Sequence, residues 1–182
     1  TLAQYNLGSL FDPDELITDG LPAGAEQEFR KNQSGPRAEF WYGQAAAKGH
    51  TKAQMALAKR ILNRPGLEPA SRVEPLKWLY LASDKSDAEA FRLLDGEESR
   101  FTSVAKQART AADLFLPNPE TGGEPDEAWQ KLNALAASAT VGDMQAAYEM
   151  GRVFHLGSES ARQDFTRAFR LYRLAAEAEH AA

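Results

Sequence analysis

The chain has 182 residues, with 26 acidic against 21 basic side chains, a net charge of −5 and no cysteine. That balance leaves no excess of cations to neutralise nucleic-acid phosphates, and the missing thiols exclude disulfides, thiolate zinc sites and thiol catalysis. At 43% hydrophobic and 26% charged the composition is that of a globular protein, and no apolar run approaches the about 18 residues a membrane-spanning helix needs.

The first predicted helix carries Ala3, Leu7, Gly8 and Phe11, whose spacing puts them on one face. A long connection, Asp12 to Pro36, holds Gly, Pro and many carboxylates. A second helical phrase follows: Ala38, Trp41-Tyr42, Ala45-Ala46 and Gly49. It reads as a large anchor and then an alanine pair that admits a neighbour. Gly49 suits the left-handed residue that ends a helix. His50 lies in the turn that leads onward. Ala53, Leu57-Ala58 and Ile61 then repeat the first phrase, and Trp78-Leu79, Ala82-Ser83 and Ser86 repeat the second. Trp41 and Trp78 are the expected buried anchors.

Beyond Ser86 two segments have helical spacing, Ala90–Leu94 and Phe101–Phe115. One is expected to be the first helix of a third unit and the other an insertion. Ser138-Ala139, Gly142-Asp143 and then Ala146, Met150-Gly151, Phe154 restore the register. Leu171-Tyr172, Ala175-Ala176 and Glu179-His180 close it. Gly49 to Ser86 and Gly142 to Glu179 both span 37 residues, so the repetition is in register on two separate stretches. Gly in a helix interior costs about 1 kcal/mol relative to Ala, so its return at Gly8 and Gly151 predicts close helix crossings there. No period-two strand pattern of useful length occurs.

These alternating phrases resemble Sel1-like repeats, relatives of the tetratricopeptide repeat, whose helices carry Ala-x-x-x-Leu-Gly-x-x-Tyr-x-x-Gly and Ala-x-x-Trp-Tyr-x-x-Ala-Ala-x-x-Gly. The departures are Ala58 for Gly, Pro75 for Ala, Ser86 for Gly and Ala134 for Trp. The resemblance implies an all-α superhelical solenoid of helix pairs. Four units are expected over 1–49, 50–86, 87–142 with an inserted helix, and 143–182. It implies a non-enzymatic scaffold, adaptor or assembly factor whose partner is another protein or peptide, with no cofactor, no metal and no nucleic acid. A bacterial periplasm or cell envelope is the favoured setting and the cytoplasm the alternative. The rival function is a cell-envelope glycan or peptidoglycan binder, or a β-lactamase-like hydrolase. That reading needs Tyr5, Tyr148 or Trp129 in one exposed row. Thr1-Leu2-Ala3-Gln4-Tyr5 does not read as a signal peptide, and the uncapped phase of the array predicts a piece of a longer protein.

By the same resemblance the first helix of each unit faces a concave groove. The groove positions are Tyr5 and Ser9, then Lys52, Met55, Lys59 and Leu62, then Gln145, Tyr148, Arg152 and His155. Tyr5, Met55, Lys59, Tyr148, Arg152 and His155 are the partner-binding candidates, expected to be exposed. An aromatic-plus-cation surface of this kind suits an extended acidic or polar peptide. Asp12, Asp14 and Asp19-Gly20 lack the ligand spacing of a calcium loop and read as a solvated acidic loop. Arg162, Arg167, Arg170 and Arg173 read as a basic outer face.

Overall fold

The computed structural model describes residues 1–15, 30–31, 33–119 and 125–179. Its elements are α1 (Leu2–Phe11), α2 (Gly35–Ala47), α3 (Thr51–Leu62), a 3-10 turn (Pro69–Arg72), α4 (Val73–Ser83), α5 (Ala88–Arg100), α6 (Thr102–Asp113), α7 (Glu127–Thr140), α8 (Met144–Leu156) and α9 (Phe165–Glu179). No strand occurs among the described residues. The predicted all-α class holds. Both ambiguous segments are helical, as α5 and α6. Asp19-Gly20 and His180 lie outside the described residues.

The chain divides into two compact units, Thr1–Val104 and Ala105–Ala182. In the first, each helix from α1 to α5 packs on the next, and α1 also touches α3. In the second, α8 packs on both α7 and α9.

The joints between helices follow from local chemistry. Gly49, Ser86 and Gly142 follow α2, α4 and α7 with φ of 82°, 65° and 101°, the left-handed region in which a Cβ is strained. The next residue caps the following helix. His50 Nδ1 accepts from the Ala53 amide at 3.3 Å, and an Asp87 oxygen accepts from the Glu89 and Ala90 amides at 3.0 Å. Asp143 accepts from Ala146 at 3.0 Å. Each cap satisfies an amide that the helix itself leaves unpaired. Ser86 is the non-glycine member of this set. Replacing it by glycine is expected to stabilise the protein by about 1 kcal/mol, read as a higher melting temperature.

The glycine slots are crossings, as predicted. A Cβ on Gly8 would stand 2.5 Å from Tyr42 Cε1 on α2, and one on Gly151 would stand 2.9 Å from the Tyr172 ring on α9. In the middle repeat the corresponding pair is Ala58 with Leu79, both fully buried. The small residue thus shrinks to glycine where the facing slot holds tyrosine, and grows to alanine where it holds leucine. This is volume compensation across a close-packed contact.

The anchor assignment needs one correction. Trp78 is buried, but Trp41 is half-buried and its neighbour Tyr42 is fully enclosed. Glycine at position 8 opens the space that takes the Tyr42 ring. Trp41 is left at the edge, where Phe40 meets its ring edge-on at 5.1 Å. The Tyr42 hydroxyl reaches Ser9 Oγ at 3.4 Å, and burial pushes its pKa up.

In the second unit the core gathers Leu114, Leu116, Met150, Phe154 and Leu171. The expected basic outer face holds at Arg162 and Arg173, which are exposed, but not at Arg167 and Arg170. Arg170 Nε donates to both oxygens of the buried Asp113 at 2.9 Å, and Arg109 adds a bond to the same carboxylate at 2.7 Å. Arg167 donates to the Phe115 carbonyl at 3.0 Å. These arginines tie elements together, because a carboxylate buried beside them demands paired charge.

Candidate functional site

The first helices bring three of the predicted contact residues to one place. Tyr5 from α1 and Met55 and Lys59 from α3 line a cavity of about 500 Å³ in the first unit, a size typical of ligand clefts. Tyr5 and Met55 occupy the same slot, three residues before the small residue of their phrase, and the α1–α3 contact brings both to this cavity.

The expected exposure does not hold for Met55, which is 5% exposed. Its thioether is part of the wall because α3 is packed on by α1, α2 and α4, so a slot at the edge of the apolar face is covered. Tyr5 is half-buried and stacks on the His50 ring, with centroids 4.8 Å apart and planes 25° apart. Lys59 Nζ pairs with Glu89 at 2.7 Å. Ser9, another groove position, is buried and donates its hydroxyl to Glu15 at 2.7 Å.

In the acidic turn after α1, Asp12 is structural rather than solvated, whereas Asp14 is solvated as expected. Asp12 is buried and bonded to Arg60, and Asp14 accepts from the same Arg60 Nη1 at 2.9 Å. One guanidinium from α3 therefore holds the end of α1 over the cavity. The lining includes the carboxylates of Asp12, Asp14, Glu15, Asp87 and Glu89 and the cations Lys52, Lys59 and Arg60. No group of three or more His, Asp or Glu side chains is placed so that it could hold a metal ion among the described residues.

His50 couples this wall to pH. Burial lowers its pKa from the usual 6.5, and the nearby cations Lys52 and Lys85 push the same way. The neutral ring is the one that caps α3, since Nδ1 must accept from Ala53. The folded state therefore binds the proton more weakly than the unfolded chain. The stabilisation is fully present above about 6.5 and is lost as pH falls through the lowered folded value. His50→Asn keeps a capping oxygen without titrating. It is expected to flatten the decline in melting temperature between pH 7.5 and 5 relative to the parent, and an unchanged slope would show that His50 does not drive it.

In the second unit Tyr148, Arg152 and His155 are all exposed along α8. Tyr148 tilts on Tyr172, with centroids 5.4 Å apart, and His155 meets Phe165 edge-on at 5.7 Å. Arg152 pairs with Glu149 at 3.1 Å. Phe165 and Phe169, which the sequence reading did not single out, are 62% and 65% exposed on α9. Their spacing of four with Phe165, Phe169 and Tyr172 on one stripe was the available signal. The three aromatics of the glycan reading do not behave alike. Tyr5 is stacked on His50, whereas Trp129 is half-buried with its indole N–H donating to the Pro117 carbonyl at 3.1 Å.

No described helix is long and apolar enough to cross a membrane. The family model described as Sel1 repeat matches residues 1–50, 51–87 and 145–180. No curated protein and no solved structure matches the chain.

Proposed function

This chain belongs to the Sel1 repeat family, and from that membership we propose that it is a scaffold or adaptor that holds a partner protein by an extended segment. Sel1 repeats generally mediate protein–protein interaction, and the family is typically a non-enzymatic scaffold. The observation that carries the finer reading is the convergence of Tyr5, Met55 and Lys59 on one cavity. Repeat positions of one class, far apart in sequence, thus line a single cleft with an apolar wall and a polar rim. Such a cleft can seat a side chain while the flanking backbone runs along the helices. Tyr148, Arg152 and His155 form a second contact surface of the same repeat position in the other unit.

The test is selection of binding segments from a displayed library of random peptides, followed by titration calorimetry. Ala56 lines the cavity and is half-buried, so Ala56→Trp fills the cleft without removing a core side chain. Ligands of the cavity are expected to bind this variant at least about thirtyfold more weakly, the loss of an interface hot spot. Ligands of the second surface are expected to be lost on Tyr148→Ala with Arg152→Ala. The far-ultraviolet circular dichroism should be unchanged in both. Selected peptides that bind both folded variants like the parent would overturn the assignment.

A further inference from the structure

We propose that the cavity of the first unit receives a lysine or arginine side chain of the partner segment, rather than the acidic or polar peptide expected from the aromatic-plus-cation pattern of the sequence. The inference rests on the reading of this cavity as a peptide seat and names what it selects.

Charge decides the sign. Five carboxylates against three cations leave the lining two charges negative. Two of the three cations are also engaged, and the third, Lys52, is exposed. Arg60 is 14% exposed in its side chain and is held by Asp12 and Asp14, and Lys59 is held by Glu89 at 2.7 Å. An acidic side chain entering here would find one exposed cation, Lys52, against two already paired and an excess of like charge.

Shape decides the class. Met55, Ala56 and Tyr5 give the cavity an apolar wall, while the Asp14 and Glu89 side chains stay 80% and 46% exposed. A long methylene stem can lie on the apolar wall while its cationic head stays among wet carboxylates, the arrangement that lysine and arginine adopt at amphipathic surfaces. A small polar residue would leave the apolar wall uncovered, and a large apolar one would desolvate the carboxylates without pairing them.

The probes are three fluorescein-labelled pools of random decapeptides, each with a fixed central pair: Arg-Arg, Gln-Gln or Glu-Glu. Binding is read by anisotropy at low salt and again at 0.5 M salt. The Arg-Arg pool is expected to bind the parent at least about tenfold more tightly than the Glu-Glu pool, with the advantage shrinking as salt screens it. The double replacement Asp14→Asn and Glu89→Gln should collapse that preference to below about threefold. Glu127→Gln with Glu159→Gln removes the same charge from the second unit and should leave the preference intact, which separates the cavity from the net charge of the whole chain. If no pool is weakened by Ala56→Trp, the cavity is not a peptide seat and this proposal falls with that reading. If binding needs the open cavity but the Glu-Glu pool equals or exceeds Arg-Arg, the seat stands and the cationic ligand is wrong. A preference that survives Asp14→Asn with Glu89→Gln overturns it in the same way.

Discussion

Tyr42→Ala is expected to destabilise the protein by about 3–5 kcal/mol, the cost of deleting a fully buried aromatic side chain. Tyr42 is 0% exposed, with α1 and α2 closing around it through Gly8. Its removal leaves a void that no side chain at position 8 can fill, and it takes away the bond that the phenol donates to Ser9 Oγ. Trp41→Ala removes a larger side chain yet should cost less, because that ring is half solvated. Chemical denaturation of the two variants checks the order. A larger loss for Trp41 would mean that Tyr42 is not the anchor of this helix pair.

Gly8→Ala is the second large effect, and its sign is diagnostic. In an exposed helix the change would stabilise by about 1 kcal/mol. Here the new methyl meets the core of a ring that has nowhere to go, and overpacking of this kind costs about 1–3 kcal/mol. The net expectation is destabilisation. Gly151→Ala faces the looser case. Tyr172 is partly exposed and can swing outward, so alanine there should be close to neutral. Gly8→Ala combined with Tyr42→Leu rebuilds the alanine–leucine pairing of the middle repeat. The double variant should therefore be less damaged than the sum of its parts, a coupling readable in a double-mutant cycle. Strict additivity would remove the compensation argument.

The two effects share a cause. A helix can approach another closely only where one side has given up volume, so each repeat fixes a small residue and a large one together. The same approach sets α1 against α3 and so brings Tyr5 and Met55 to one cavity. Packing within each helix pair and geometry of the candidate site are thus one arrangement, and a change at Gly8 should reach the cavity through α1.

What the sequence determined by itself was local and periodic. The positions of α1 to α4, α8 and α9 follow from side chains recurring at helical spacing. The joints follow from Gly49, Ser86 and Gly142 needing a left-handed backbone, and the crossings from Gly8 and Gly151. These features depend on near neighbours along the chain, so a repeated phrase displays them. The tertiary structure decided the rest. Trp41 and Tyr42 are adjacent on one helix and both border its apolar face, so spacing cannot say which is enclosed. The facing Gly8 makes that choice. Met55 likewise sits at the edge of a face, and its burial depends on the helices that pack around α3. The charge of the cavity is set by Arg60 meeting Asp12 and Asp14 across the long connection, and the Arg170–Asp113 tie spans a similar distance along the chain. Ion pairs between residues so far apart leave no periodic trace. Chain folding alone brings them together, and with them the sign of the surface that a partner would meet.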